Sequence, residues 1–216
     1  VRTLFQGERE LAFYPNGNVK RGTPKRDISL AYNYDIRTAS ANLDNTDGSS
    51  AVFKAGEEVS FYKDGKVEKG ILFQNTSLPY NYNQYIIFKG DTEVEFTANG
   101  YIKKGIIRDY QYLPYRDDKF LEIEAGSKLV FEDGKIRVAT LIYDTELEYR
   151  DSKELEFLAG TEIEFDSKGY VMRGTLKGGS KVNYDSNWQV LILGGREIEF
   201  NRDGYVHSGY LADYFQ

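Results

Sequence analysis

The chain has 216 residues, a formal net charge of −6 and no cysteine. The acidic balance excludes the basic surface expected of a nucleic-acid-binding protein. The lack of cysteine excludes disulfides, zinc–thiolate sites and thiol nucleophiles, and it fits an exported protein that avoids mispaired thiols. An aromatic share of 15% and 21 glycines favour strands and tight turns over helices.

The start of the chain and its apolar runs bear on membranes and export. Residues 1–5 contain no charged leader followed by an apolar run, which indicates either no signal peptide or a start after its removal. The longest apolar runs, 85–88 and 190–193, are far shorter than a membrane-spanning helix. We therefore expect no membrane insertion.

Glycines mark a repeat along the whole chain. Candidate turn glycines recur every 34 or 35 residues after a first interval of 48, at Gly17, Gly65, Gly100, Gly134, Gly169 and Gly204. Five of the six copies carry a second glycine five residues later, and the fourth copy has Ala139 there. A fixed period of this length is typical of repeat architectures.

Apolar residues alternate on both sides of each turn glycine. In the third copy, Val94 and Phe96 precede Gly100 and Ile102 follows it, and the other copies repeat this pattern. Alternation broken by an Asn-Gly, Asp-Gly or Lys-Gly turn predicts a β-hairpin. A tyrosine column (Tyr32, Tyr80, Tyr115, Tyr149, Tyr184) and a Phe/Ile column six residues ahead of the hairpin predict one or two further short strands per copy.

These columns predict six units, approximately 1–37, 51–85, 86–120, 121–154, 155–189 and 190–216, with a polar loop insertion at 38–50. A unit this short cannot bury its apolar face alone, so neighbouring units must stack. The predicted fold class is all-β, an antiparallel β-hairpin repeat array forming an elongated twisted sheet or solenoid. A closed, propeller-like toroid is the alternative.

The pattern Phe-x-x-[Asn/Asp]-Gly-x-[Val/Ile]-x-x-Gly-x-Leu, seen in residues 96–107 and 200–211, resembles the β-hairpin repeats of the MORN type. It is more similar to their bacterial variants in exported or surface proteins, and the resemblance covers nearly the whole chain. The resemblance implies a hairpin sheet with an interaction role and favours a secreted, periplasmic or cell-surface location.

Paired glutamates are the candidates for catalysis. Glu93 and Glu95 share one strand face, and Glu162 with Glu164 and Glu197 with Glu199 repeat the arrangement. Such pairs lie about 6.5–7 Å apart, a separation that inverting glycosidases use. Because the pairs recur in equivalent columns opposite lysines and arginines, a solvated face with cross-strand ion pairs explains them better. The single histidine, His207, occupies a variable column and is expected at the surface.

Tyrosines outside the core columns are the best lead to function. Tyr101, Tyr170 and Tyr205 each directly follow a turn glycine and could form an exposed aromatic ladder. Exposed tyrosine is enriched at protein interfaces and stacks on sugars, although the same rings could simply cover the glycines. The sequence therefore favours a non-enzymatic protein that binds a protein partner, with a carbohydrate-binding module and a glycoside hydrolase as alternatives. No cofactor or metal site is expected, and the oligomeric state stays open.

Overall fold

A computed structural model describes residues 4–33 and 50–212 of the chain. The polar insertion predicted at 38–50 lies outside these ranges apart from Ser50, which begins a strand. The chain divides into two compact units, Val1–Asp109 and Tyr110–Gln216. Over the described ranges the secondary structure consists of strands without any helix, so the all-β fold class is confirmed. No helix there has the length and hydrophobicity needed to cross a bilayer.

Unit 1 contains ten strands. They are β1 (Ala12–Phe13), β2 (Val19–Gly22), β3 (Ile28–Ala31), β4 (Ser50–Phe53), β5 (Val59–Phe61), β6 (Val67–Ile71), β7 (Thr76–Asn81), β8 (Gln84–Phe88), β9 (Glu93–Phe96) and β10 (Ile102–Ile106). Six of them form an antiparallel sheet in the order β1-β2-β5-β6-β9-β10. The other four form two separate hairpins, β3–β4 and β7–β8, which we call side hairpins.

Unit 2 repeats this organisation. Its strands are β11 (Gln111–Pro114), β12 (Phe120–Ile123), β13 (Lys128–Glu132), β14 (Lys135–Thr140), β15 (Thr145–Arg150), β16 (Lys153–Phe157), β17 (Glu162–Phe165), β18 (Val171–Thr175), β19 (Ser180–Asn183), β20 (Gln189–Ile192), β21 (Glu197–Phe200) and β22 (Val206–Gly209). The sheet has the order β13-β14-β17-β18-β21-β22, and the side hairpins are β11–β12, β15–β16 and β19–β20. The predicted antiparallel hairpin array is therefore confirmed. Among the described strands, neither unit closes its sheet on itself.

Each sheet hairpin turns where the sequence places its glycine. In the last hairpin, Gly204 has a φ of 74°, a conformation that glycine adopts without steric cost. The side-chain oxygen of Asn201 accepts hydrogen bonds from the backbone N–H groups of Asp203 and Tyr205 and so satisfies the turn. A bulge between Glu199 and Phe200 follows in the pairing of β21 with β22.

The core lies between the sheet and the side hairpins of each unit. In β9, Val94 and Phe96 are buried while Glu93 is exposed, as the period of two requires. The side hairpin β7–β8 contributes the buried residues Leu78 and Phe88 to the same core. One face of each sheet therefore packs on the side hairpins, and the opposite face carries charged side chains.

The second glycine of the repeat makes room for an aromatic ring. A Cβ placed on Gly105 would lie 2.6 Å from Cδ1 of Phe88, closer than packed atoms approach. In the fourth copy Ala139 replaces this glycine, and the ring is replaced by Ile123, which is buried. In the fourth copy the larger residue of one column is therefore matched by a smaller residue of the other.

Tyrosines of the side hairpins stack on sheet hairpins that lie two repeats later in the chain. Tyr115 stacks on Phe165 with ring centroids 4.6 Å apart, and Tyr149 stacks on Phe200 at the same separation. In unit 1, Tyr32 stacks on Phe96 at 4.7 Å. Each of these side hairpins thus rests on the sheet hairpin that begins two repeats later. Because of this stacking, residues at the tips of the side hairpins lie beside the turns of the sheet hairpins.

Candidate functional site

The three nominated tyrosines lie at the turns of sheet hairpins. Tyr101, Tyr170 and Tyr205 follow the positive-φ glycines, and each ring is partly buried. A Cβ placed on Gly169 or Gly204 would lie 2.8–3.0 Å from the backbone oxygen of the stacking tyrosine in the side hairpin. The side hairpin therefore presses directly against the turn, and the tyrosine after the glycine contacts its tip.

Arginines of the side-hairpin tips cover two of these rings. The guanidinium carbon of Arg116 lies 4.3 Å from the ring centroid of Tyr170, and Arg116 Nη2 donates a hydrogen bond of 2.7 Å to its hydroxyl. The Tyr170 hydroxyl in turn donates to Asp151, and this hydrogen bond raises the pKa of the phenol. Arg150 lies over Tyr205 at 4.5 Å in the same way. One face of each ring is therefore occupied by a cation.

Tyr170 and Tyr205 come together in one cleft of unit 2. The cleft has a volume of about 400 Å³ and is also lined by Arg150, Asp151 and Asp203. Tyr101 lies in unit 1, where Asn33 takes the position of the covering arginines beside the turn glycine. The tyrosine column is thus one structural position, with different surroundings in the two units.

The glutamate pairs lie on the charged face of the sheets. Glu93 and Glu95 pair with Lys69 at 2.8 Å and with Lys104 at 3.3 Å, respectively, and the hydrogen bond to Glu93 raises the pKa of Lys69. In unit 2, Arg173 lies 3.1–3.8 Å from three carboxylates, those of Glu162, Glu164 and Glu197. The residues form cross-strand ion pairs, as the sequence favoured. Over residues 4–33 and 50–212, no group of three or more potential ligands could hold a metal ion.

An exposed aromatic cluster on the side hairpin β11–β12 was not singled out from the sequence. Tyr112 and Phe120 are 61% and 42% exposed, and their rings stack at 5.1 Å on the outer face of the hairpin. Tyr110 and Tyr143 are exposed beside them. A hydrogen bond to the carboxylate of Glu122 raises the pKa of Tyr110, and the Tyr143 and Tyr112 hydroxyls act in the same direction. We call Tyr110, Tyr112, Phe120 and Tyr143 the aromatic cluster.

The next side hairpin, β15–β16, presents an acidic outer face. Glutamates lie directly opposite each other across its two strands, in the pairs Glu146–Glu156 and Glu148–Glu154. Like charges in this arrangement are destabilising. Lys177 lies 2.8 Å from Glu156 and reduces the repulsion in that pair. Glu146 forms no ion pair within the described part of the chain. We call this surface the acidic face.

Cations at the tip of β11–β12 join the aromatic cluster to the acidic face. Arg116 Nη1 and Lys119 Nζ lie 2.6 Å and 2.5 Å from the two carboxylate oxygens of Glu148. Both hydrogen bonds lower the pKa of Glu148. Lys119 also lies 3.8 Å from Glu154. The two hairpins therefore form neighbouring parts of one surface of unit 2.

The sequence contained part of the signal for this surface. Tyr110 and Tyr112 lie outside the core columns, but the column of Tyr112 varies between repeats and holds Ser77 and Glu146 in the neighbouring copies. Only the pairing of β11 with β12 places Phe120 beside Tyr112. A search against protein-family models and a search of curated proteins both returned no match for this chain.

Proposed function

We propose that the chain is a non-enzymatic interaction protein that binds a basic protein partner through the aromatic cluster and the acidic face of unit 2. The observation that carries the proposal is the stacked, exposed pair Tyr112–Phe120 next to a hairpin whose glutamates oppose each other. Exposed aromatic patches in soluble proteins mark interaction sites, and tyrosine is enriched among the residues that dominate binding energy.

The charge of the surface specifies the partner. Glu156 is already paired with Lys177, so a basic segment of a partner would pair with Glu146, and its apolar side chains would pack on Tyr112 and Phe120. Of the three tyrosines predicted from the sequence, Tyr170 supports the binding surface indirectly, since Arg116 contacts both Tyr170 and Glu148. The similarity to MORN-type repeats stays a prediction, and an interaction role agrees with it.

The test uses a displayed library of random peptides as the probe. Selection is made on the wild-type chain, with subtraction on the variant Tyr112→Ser/Phe120→Ser. We expect enrichment of peptides that combine Lys or Arg with an apolar side chain and whose binding weakens with salt. Absence of enrichment, or enriched peptides that bind both proteins equally, would refute the proposal.

The cleft of unit 2 supports a second candidate, the binding of a carbohydrate. Tyr170 and Tyr205 line it together with a guanidinium and carboxylates that could hydrogen-bond sugar hydroxyls. Arg116 and Arg150 cover one face of each ring, which leaves less ring surface for stacking and ranks this candidate second. A glycan array probed with the wild-type chain and with Asp203→Asn tests it: a hit that the variant loses supports the cleft, and a blank array refutes it.

A further inference from the structure

The first hairpin of unit 1 and the last repeat of unit 2 expose side chains that are buried in the other described repeats. In unit 2 the outermost strand is β22, and no described strand pairs with its far side. Tyr184 is 60% exposed, whereas Tyr115 and Tyr149 in the same column are 5% exposed or less. Leu211 is also 60% exposed, whereas Leu176 in its column is fully buried.

The first hairpin of unit 1 exposes a phenylalanine that is buried in the other repeats. Phe13 is 51% exposed, whereas Phe96, Phe165 and Phe200 in its column are at most 3% exposed. These inner phenylalanines are covered by a tyrosine from a side hairpin, and among the described residues Phe13 has no such ring over it. Among the described residues, apart from the two chain neighbours of Gly17, no atom lies within 4 Å of a Cβ placed on this glycine, whereas a Cβ on Gly100, Gly169 or Gly204 would touch a tyrosine carbonyl.

The exposed edge at β22 and the exposed β1–β2 hairpin match each other. A tyrosine in this array stacks on the phenylalanine of the sheet hairpin that begins two repeats later, as Tyr149 does on Phe200. For Tyr184, the corresponding sheet hairpin would lie next to β22. A hairpin docked on the edge of β22 would bring its phenylalanine under Tyr184 and its turn glycine against the backbone of Tyr184.

We propose that the edge of β22 and Tyr184 bind the β1–β2 hairpin of a second copy of this chain, head to tail. The contact extends the sheet by strand addition, in which backbone hydrogen bonds supply affinity and the ring stack supplies register. It is heterologous, because two different surfaces meet, so the bound pair still offers one free β22 edge and one free β1–β2 hairpin. This association is separate from the proposed binding of a basic partner and uses none of its residues.

The inner repeats give the register. At the junctions between sheet hairpins, Arg173 lies opposite Glu199 and Gly174 opposite Ile198, and Lys69 with Glu95 repeats this pairing in unit 1. The same register places Ser208 opposite Ala12 of the second copy, and Gly209 opposite Leu11. Both pairs are small or apolar, so no like charges oppose each other in the new contact.

A complementation experiment tests the head-to-tail arrangement. Tyr184→Ser removes one side of the stack and Phe13→Ser removes the other, and both side chains are exposed, so neither change should lower the melting temperature. By sedimentation velocity we expect the wild type to form larger species as its concentration rises. Each variant alone should associate at least about tenfold more weakly than the wild type, because the buried ring contact is lost. An equal mixture of the two variants should form a dimer, since each supplies the surface that the other lacks.

Engineered cysteines test the register in the same chain, which has no cysteine of its own. Cα atoms of directly opposed residues lie about 4.5–5.5 Å apart across antiparallel strands, within the range that a disulfide spans. A mixture of Ser208→Cys with Ala12→Cys should form a disulfide-linked dimer on mild oxidation, whereas Ser208→Cys with Lys20→Cys should not. A wild type that stays monomeric at its highest soluble concentration would overturn the proposal, as would a mixture of the serine variants that does not associate or equal yields from the two cysteine pairs.

Discussion

Replacing Gly105 with alanine tests how closely each side hairpin packs on the sheet. The new Cβ would lie 2.6 Å from Cδ1 and 3.0 Å from Cε1 of Phe88, a ring that is fully buried. Overpacking of this kind costs about 1–3 kcal/mol. Alanine recovers about 0.5–1 kcal/mol through the lower backbone entropy of the unfolded chain, so we expect a net loss of roughly 1–2 kcal/mol.

The assay is urea denaturation followed by circular dichroism. The matched control is Gly209→Ala, because its nearest neighbour, Ile192, lies 3.2 Å from the added Cβ and β22 lies at an edge. We expect this control to change the free energy of unfolding by no more than about 0.5 kcal/mol. The double variant Gly105→Ala/Phe88→Ile recreates the pairing of the fourth copy, and it should be more stable than the sum of the single effects predicts, by about 0.5–3 kcal/mol. A Gly105→Ala chain as stable as the wild type, or strict additivity in the double variant, would refute the reasoning.

Three further outcomes follow from the described contacts. Hydrogen bonds from Lys119 and Arg116 lower the pKa of Glu148, so the stability that its carboxylate contributes is complete above the ordinary pKa of 4.5 and is lost as the pH falls through the lower folded-state pKa. The difference in melting temperature between the wild type and Glu148→Gln should therefore shrink over that pH interval. A difference that does not change with pH would contradict this. Gly169→Ala should destabilise by about 1–3 kcal/mol more than Gly17→Ala in urea denaturation, because both positions have positive φ but only the first touches a side hairpin; equal losses would argue against the contact. The variant Tyr112→Ser/Phe120→Ser should lose at most about 1 kcal/mol of stability by the same assay, since both rings are exposed, and a larger loss would mean that the aromatic cluster supports the fold.

The sequence predicted the fold class because the residues that form the turns and the core recur at the same positions in the repeats. The turn glycines and the apolar residues around them appear six times, so chance matches are averaged out. Gly100 and Gly204 do have positive φ, and Phe96 and Phe200 are buried. The division of each repeat into a sheet hairpin and a side hairpin could not be deduced, since both have the same alternation. Strand pairing between hairpins, such as Lys69 with Glu95, is a tertiary property.

The candidate site was less accessible to sequence reasoning. Tyr170 and Tyr205 share a column, and the sequence indicated a common location, but their arginine covers come from Arg116 and Arg150, more than fifty positions earlier in the chain. The aromatic cluster breaks the repeat pattern, because Phe120 occupies a column that holds Tyr85 in unit 1 and Glu154 in the next copy. Repeat columns reveal what the copies share, and a binding surface confined to one unit lies in what they do not share.

The most direct test of the proposed binding surface is the affinity of a selected basic peptide, measured by fluorescence anisotropy across a series of salt concentrations. The matched control is Tyr85→Ser, which removes an exposed ring from the same column as Phe120 in unit 1. We predict that Tyr112→Ser/Phe120→Ser weakens binding by about tenfold or more, that Tyr85→Ser leaves it unchanged, and that affinity falls as salt rises. Equal losses in the two proteins, or an affinity that does not respond to salt, would contradict the assignment of the binding surface to the aromatic cluster and the acidic face.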